Sequence, residues 1–233
     1  MRIGAGIVEW SEVLEKDPIT LNLGGAEFCH PHPDYRGYIS VDLDPRDHGW
    51  NIRHDLTQPI PLPDGSVFGI HTEDFLEHIT VDRIEALLVE CHRLLKTGGR
   101  MRIGVPDYRN PKDRWCLESG VDPRYPTHLT LTHYELMKQV FDRSPFDRYQ
   151  FYNFWDGDNF IENPIDYSFG KILRTPDNHP KNKIEGPAQR VKTAVRDMLF
   201  LLPRGFKAPE YQMATRKNHR LHVTSVTADL FRD

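Results

Sequence analysis

The chain has 233 residues, a formal net charge of −4, and 38% hydrophobic and 27% charged residues. That length fits one domain with elaborations, and the composition is globular, with enough apolar residues for a sizeable core. No apolar run approaches a membrane span, the notable one being 198–202, and the first residues lack a signal-peptide core.

Cys29, Cys91 and Cys116 are odd in number and lack C-x-x-C spacing. This argues against a disulfide framework or a zinc ribbon and fits a reducing, cytoplasmic setting. The small net charge gives no reason to expect a nucleic-acid partner, and nothing in the sequence fixes whether the chain forms a homo-oligomer.

In chain order, residues 7–16 are expected as a helical lead-in. Residues 20–23 read as a short buried strand, Gly24-Gly25-Ala26 as a tight turn, and residues 38–41 as a second strand ending on Asp42. A strand, a small-residue turn and an acid at the next strand's end form the layout of a nucleoside-binding α/β site. Asp42 lies 18 residues beyond Gly24, close to the ~20 expected for an acid that takes ribose hydroxyls. A dinucleotide site wants G-x-G-x-x-G opening a helix. Here the third glycine is missing, and Pro31 and Pro33 oppose a regular helix. S-adenosylmethionine carries ribose and adenine without phosphate and suits this turn better than a nicotinamide dinucleotide does.

Residues 51–57 follow as a third strand ending near Asp55. A proline-rich loop, a turn at Asp64-Gly65 and a strand over 67–72 come next. Residues 81–95 give the clearest helix, with Ile84, Leu87, Leu88, Cys91, Leu94 and Leu95 at helical spacing and Thr80 as N-cap. Residues 100–105 read as the next strand, so the sheet is mostly parallel. Further on, residues 132–141 read as a helix capped by Thr132, 148–155 as an aromatic strand, 156–190 as a long excursion, 188–202 as a helix, and 221–230 as a closing strand.

Four segments in one order, LNLGGA, YISVDLD, PIPLPDGSVFGIHTEDFLEHI and LLKTGGRMRIGVPD, resemble class I S-adenosylmethionine-dependent methyltransferases, closest to small bacterial members with an LNLG-type start. The resemblance covers roughly residues 18–108. It implies a Rossmann-like α/β fold over 1–233: a mostly parallel sheet with helices on both faces, an antiparallel C-terminal strand, and a shortened or missing helix after strand one. Residues 18–108 would form the cofactor-binding half, 109–220 the acceptor elaborations and 221–230 the closing strand.

By the same resemblance Gly24, Gly25 and Ala26 lie against the cofactor. Asp42 and Leu43 meet its ribose, Asp55 and Leu56 its adenine. Asn22 stands where an acid often contacts the methionine ammonium. Thr72 and Glu73 face the methionine portion, and Asp74 with His133 the acceptor. Two departures stand out: Ala26 replaces a usual glycine, and Asn22 replaces the acid.

Asp107 and His128 are the candidate catalytic bases, both placed after the cofactor half. Glu77-His78 reads as a structural pair beside the helix start. Cys29-His30-Pro31-His32 lacks a second ligand cluster, and His128 and His133 do not form H-E-x-x-H, so no metal is expected. The aromatics of 149–160 read as packing. Residues 183–220 carry nine Lys and Arg against three Asp and Glu, a solvated face or a dock for an anionic membrane or lipid-linked acceptor. Small bacterial enzymes of this kind often accompany surface-glycan synthesis, so the expected reaction is O-methylation of a sugar hydroxyl. A small-metabolite or lipid-linked acceptor, and a non-catalytic S-adenosylmethionine-binding protein, are the alternatives.

Overall fold

The computed structural model describes residues 6–7, 9–25, 38–43, 50–110, 113–166, 169 and 225–233. Their strands are β1 (Gly6–Ile7), β2 (Ile19–Leu23), β3 (Tyr38–Asp42), β4 (Trp50–Arg53), β5 (Val67–Glu73), β6 (Leu95–Pro106), β7 (Arg148–Asp156), β8 (Asn159–Glu162) and β9 (Ser225–Arg232). The helices are α1 (Trp10–Val13), α2 (Val81–Leu94), α3 (Trp115–Ser119) and α4 (Tyr134–Asp142). One sheet holds all nine strands in the order β1-β4-β3-β2-β5-β6-β9-β7-β8. From β1 through β6 each pairing is parallel. The closing strand β9 is antiparallel to both β6 and β7.

Alternation along the strands decides the two faces. Leu21 lies in register between Ile39 and Ile70, Ile70 beside Met101, and Met101 beside Leu230. This apolar face shares one core with Ile84, Leu87, Leu88 and Cys91 of α2 and with Met137, Val140 and Phe141 of α4. Burying each such side chain contributes about 1.5–3 kcal/mol, so packing holds these helices in place. The other face is polar. Asn51, Ser40, Asn22, His71, Arg102 and Asp229 form one cross-strand row, all buried.

Several boundaries differ from those expected. Instead of a helix over 7–16, only Trp10–Val13 is helical, and Gly6–Ile7 pairs with β4 as an edge strand. The third strand stops at Arg53 because Asp55 Oδ1 accepts the Thr57 N–H and hydroxyl and turns the chain. Thr132 does not cap α4: its hydroxyl donates to the Pro106 carbonyl at 2.6 Å. His133 takes the N-cap place, Nδ1 accepting from the Leu136 N–H. The strand expected over 100–105 starts directly after α2, at Leu95. Ala26, the Cys29–His32 cluster, the crossover after β2, the helix over 188–202 and the basic stretch 183–220 lie outside the described residues. Among the described residues no helix is long and apolar enough to cross a membrane.

Candidate active site

Strand β2 has β3 on one side and β5 on the other. The connections diverge there, and the carboxyl ends of the strands open a crevice, the usual ligand position in such sheets. A cavity of about 470 Å³ occupies it. Its floor is Gly24, at the end of β2, and Phe75. One wall is Asp42, the last residue of β3, and Leu43, with His54, Asp55, Leu56 and Thr57 after β4. The opposite wall is Asp74, Glu77, His78 and Ile79 after β5, with Tyr125, Thr127 and His128 from the loop beyond β6.

Gly24 has φ +68°, and a Cβ there would lie 2.3 Å from Phe75 Cγ. Only glycine combines that backbone with that close approach. Its N–H donates to the Val41 carbonyl at 2.9 Å, which ties the turn to β3. Gly25 is equally constrained, since a Cβ would stand 1.9 Å from Asn22 Nδ2. Asn22 therefore props the turn from beneath, and its buried Oδ1 has no hydrogen-bond partner among the described residues. Asp74 adopts φ 54°, a left-handed conformation that Asp tolerates better than most residues. That turn delivers Asp74 to the wall.

The first wall fits S-adenosylmethionine by its donor set. Asp42 offers a carboxylate for vicinal hydroxyls, and Leu43, Leu56 and Phe75 offer apolar surface for a base. Asp55 is partly committed: hydrogen bonds from the Thr57 backbone and hydroxyl hold its carboxyl below the ordinary range.

The opposite wall is joined by long-range bonds. Thr130 N–H donates to the Glu77 carbonyl at 3.0 Å, and the Thr130 hydroxyl to the Ile79 carbonyl at 2.7 Å. These bonds bring His128 beside His78, ring centroids 4.8 Å apart and nearly perpendicular. Tyr125 stacks on His128 at 5.0 Å. The Tyr108 hydroxyl lies 2.6 Å from His128 Nδ1 and donates to Asp122 Oδ2 at 3.0 Å. With its own proton on Asp122, the Tyr108 oxygen accepts from Nδ1–H, and the deprotonated ring nitrogen of His128 is Nε2. Burial would lift the Asp122 carboxyl, but hydrogen bonds from Arg124 and Tyr108 outweigh it and hold it at about 2.

Residues 37–103 match a family model described as a methyltransferase domain. With the sheet order and the crevice, that match decides the assignment. The chain carries a class I S-adenosylmethionine-dependent methyltransferase domain. Its fold is similar to that of a SAM dependent methyltransferase from Archaeoglobus fulgidus, at 17% identity over 96% of this chain and 90% of that one, TM-score 0.52. It is also similar to geranyl diphosphate C-methyltransferase from Streptomyces coelicolor A3(2), at 11% identity over 93% and 73%, TM-score 0.51. No curated protein matches the sequence.

The methyltransferase cavity gathers Gly24, Asp42, Leu43, Asp55, Leu56, Asp74 and His128 from the sequence-expected set. Six other expected residues among those described do not line it: Asn22 and Gly25, which lie at the turn beneath it, and Asp107, His133, Thr72 and Glu73. Asp107 is buried, its two oxygens accepting from the Arg109 and Trp155 N–H groups, and burial lifts its carboxyl to about 7. His133 is turned to the start of α4, its Nδ1 2.8 Å from Glu135 Oε2. Thr72 lies in the sheet next to Leu23 and Ile103. Glu73 faces inward, 2.7 Å from His71 Nε2. Sequence reasoning passed over His54, Phe75, Tyr125 and Thr127 as lining residues, and took Glu77 and His78 as structural. His54, Phe75, Glu77 and His78 follow closely on strand ends, the one local signal that could have marked them, whereas Tyr125 and Thr127 lie between α3 and α4 and carry no such signal.

Proposed function

We propose that this methyltransferase O-methylates a sugar hydroxyl in surface-glycan biosynthesis, with His128 as the base. The observation that carries this reading is the Asp122–Tyr108–His128 chain at the end of the cavity opposite Asp42. With the Tyr108 proton on Asp122, His128 would carry Nδ1–H and keep Nε2 as its basic nitrogen, which supports the role of base. S-adenosylmethionine supplies a methyl group made electrophilic by its sulfonium. The chain's task is then to position a hydroxyl and receive its proton as the oxygen attacks. Asp74 and Thr127 offer hydrogen-bond partners to neighbouring hydroxyls, and the Tyr125 ring gives a flat surface for a sugar's C–H face.

The test is a His128→Gln variant assayed with sugar and glycolipid acceptors. A positioned base contributes ~10²–10⁴-fold, so kcat should fall by that factor while S-adenosylhomocysteine affinity stays unchanged. Turnover of a verified sugar acceptor at the parent rate removes His128 from the role. Methylation of only non-sugar acceptors overturns the substrate class.

A further inference from the structure

We infer that Glu77, His78 and His128 form a binding site for one divalent transition-metal ion, of the zinc type, at the acceptor end of the cavity. One donor atom from each residue lies within 4.8 Å of the other two. Glu77 and His78 belong to the 3-10 turn Leu76–His78 after β5 and His128 to the segment before α4, and the bonds of Thr130 and Thr127 tie the two together. Two imidazoles and one carboxylate are a donor set suited to zinc and its neighbours in the first transition row.

The surroundings of the histidines match those of metal ligands. A ligating imidazole nearly always donates its other N–H to an oxygen, which fixes the tautomer and the ring. His78 Nδ1 lies 3.1 Å from the Thr127 carbonyl, and a carbonyl oxygen can only accept. His128 Nδ1 lies 2.6 Å from the Tyr108 oxygen, whose own proton goes to Asp122. Both rings therefore carry Nδ1–H and have Nε2 as the basic nitrogen. The two rings stand nearly perpendicular, centroids 4.8 Å apart. Glu77 is 1% exposed, and a carboxylate so placed attracts a cation more strongly than a surface one. Metal–ligand distances near 2.0–2.2 Å require donors roughly 3.3–3.5 Å apart in a tetrahedron, so the cluster closes by roughly 1 Å on loading.

All three residues also line the cavity. Three protein ligands with a remaining position toward a cavity are the pattern of sites that bind water or substrate oxygen. In the loaded site His128 is a ligand, so metal loading and proton uptake by its imidazole exclude each other. The inference rests on the three side chains, and a bound ion would block the proposed role of His128 as base, so loading should inhibit methyl transfer.

The experiment uses the full chain, stripped with chelator. Calorimetry with Zn²⁺ and visible absorption with Co²⁺ should show one equivalent bound. His78→Ala and His128→Gln should each weaken binding at least 10-fold. Tyr108→Phe, which loses the hydroxyl that orients His128, should weaken it ~10–100-fold. Far-UV circular dichroism confirms that the variants are folded. No binding of either ion by the parent overturns the site. Binding that persists undiminished in both histidine variants overturns it too, and assigns the ion elsewhere on the chain, such as to Cys29-His30-Pro31-His32.

Discussion

Arg102 on β6 and Asp229 on β9 form a two-pronged ion pair inside the sheet, Nε to Oδ1 and Nη2 to Oδ2, each 2.7 Å. Both side chains are fully buried. The Tyr152 hydroxyl also donates to Asp229, at 3.0 Å. Residues 102 and 229 stand directly opposite in the antiparallel ladder, so the pair fixes the register of the closing strand. A one-residue slip would separate the charges and turn Val226, Ala228 and Leu230 out of the core.

Asp229→Asn keeps the shape but leaves a buried guanidinium without its counter-charge. Removing one partner of a buried pair costs about 3–5 kcal/mol. The urea midpoint should fall accordingly, with S-adenosylhomocysteine affinity nearly intact because neither residue lines the cavity. An unmoved midpoint would show that the pair does not hold β9.

Two substitutions probe the cofactor wall. Asp42→Ala removes a charge-assisted hydrogen-bond acceptor worth about 1.5–3 kcal/mol, so S-adenosylhomocysteine should bind 10-fold or more weakly by calorimetry. Gly24→Ala acts through the backbone instead. Its Cβ would meet Phe75 at 2.3 Å from a φ of +68°, displacing the floor of the cavity. That variant should lose both stability and cofactor affinity, whereas Asp42→Ala should lose affinity alone. Equal thermal shifts in the two would refute this division of roles.

Acid unfolding reports on Asp122. Its carboxyl is held at about 2 in the folded chain, against about 3.9 in an unfolded one. Because the folded value is depressed, the stabilisation is fully present above about pH 4 and is lost as pH falls through about 2. Asp122→Asn should be less stable than the parent at neutral pH, and the two stabilities should converge as the medium approaches pH 2. Parallel stability curves across that window would mean that Asp122 titrates alike in both states. The same variant should slow methyl transfer, since Tyr108 would lose the partner that fixes the His128 tautomer.

The sequence by itself determined the parallel strands of the sheet's centre and the helix α2, and it marked the small-residue turn and the acid that meet at the cavity, because local pattern carries these. Alternation in Thr20–Leu23 type strands, the helical spacing from Ile84 to Leu94, and Gly24-Gly25 before Asp42 each depend on near neighbours along the chain. The start of α4 was misplaced because Thr132 is drawn to the Pro106 carbonyl, a partner 26 residues away. Asp107 and Asp42 both stand at a strand's carboxyl end, yet one is sealed under the Trp155 and Arg109 N–H groups and the other lines the crevice. No spacing rule separates those fates. The acceptor wall was decided only by tertiary structure. The adjacent Glu77 and His78 lie about fifty positions from His128 in the chain. They converge because Thr130 binds the loop after β6 onto the turn after β5, and a hydrogen bond between distant loops leaves no periodic trace in the sequence.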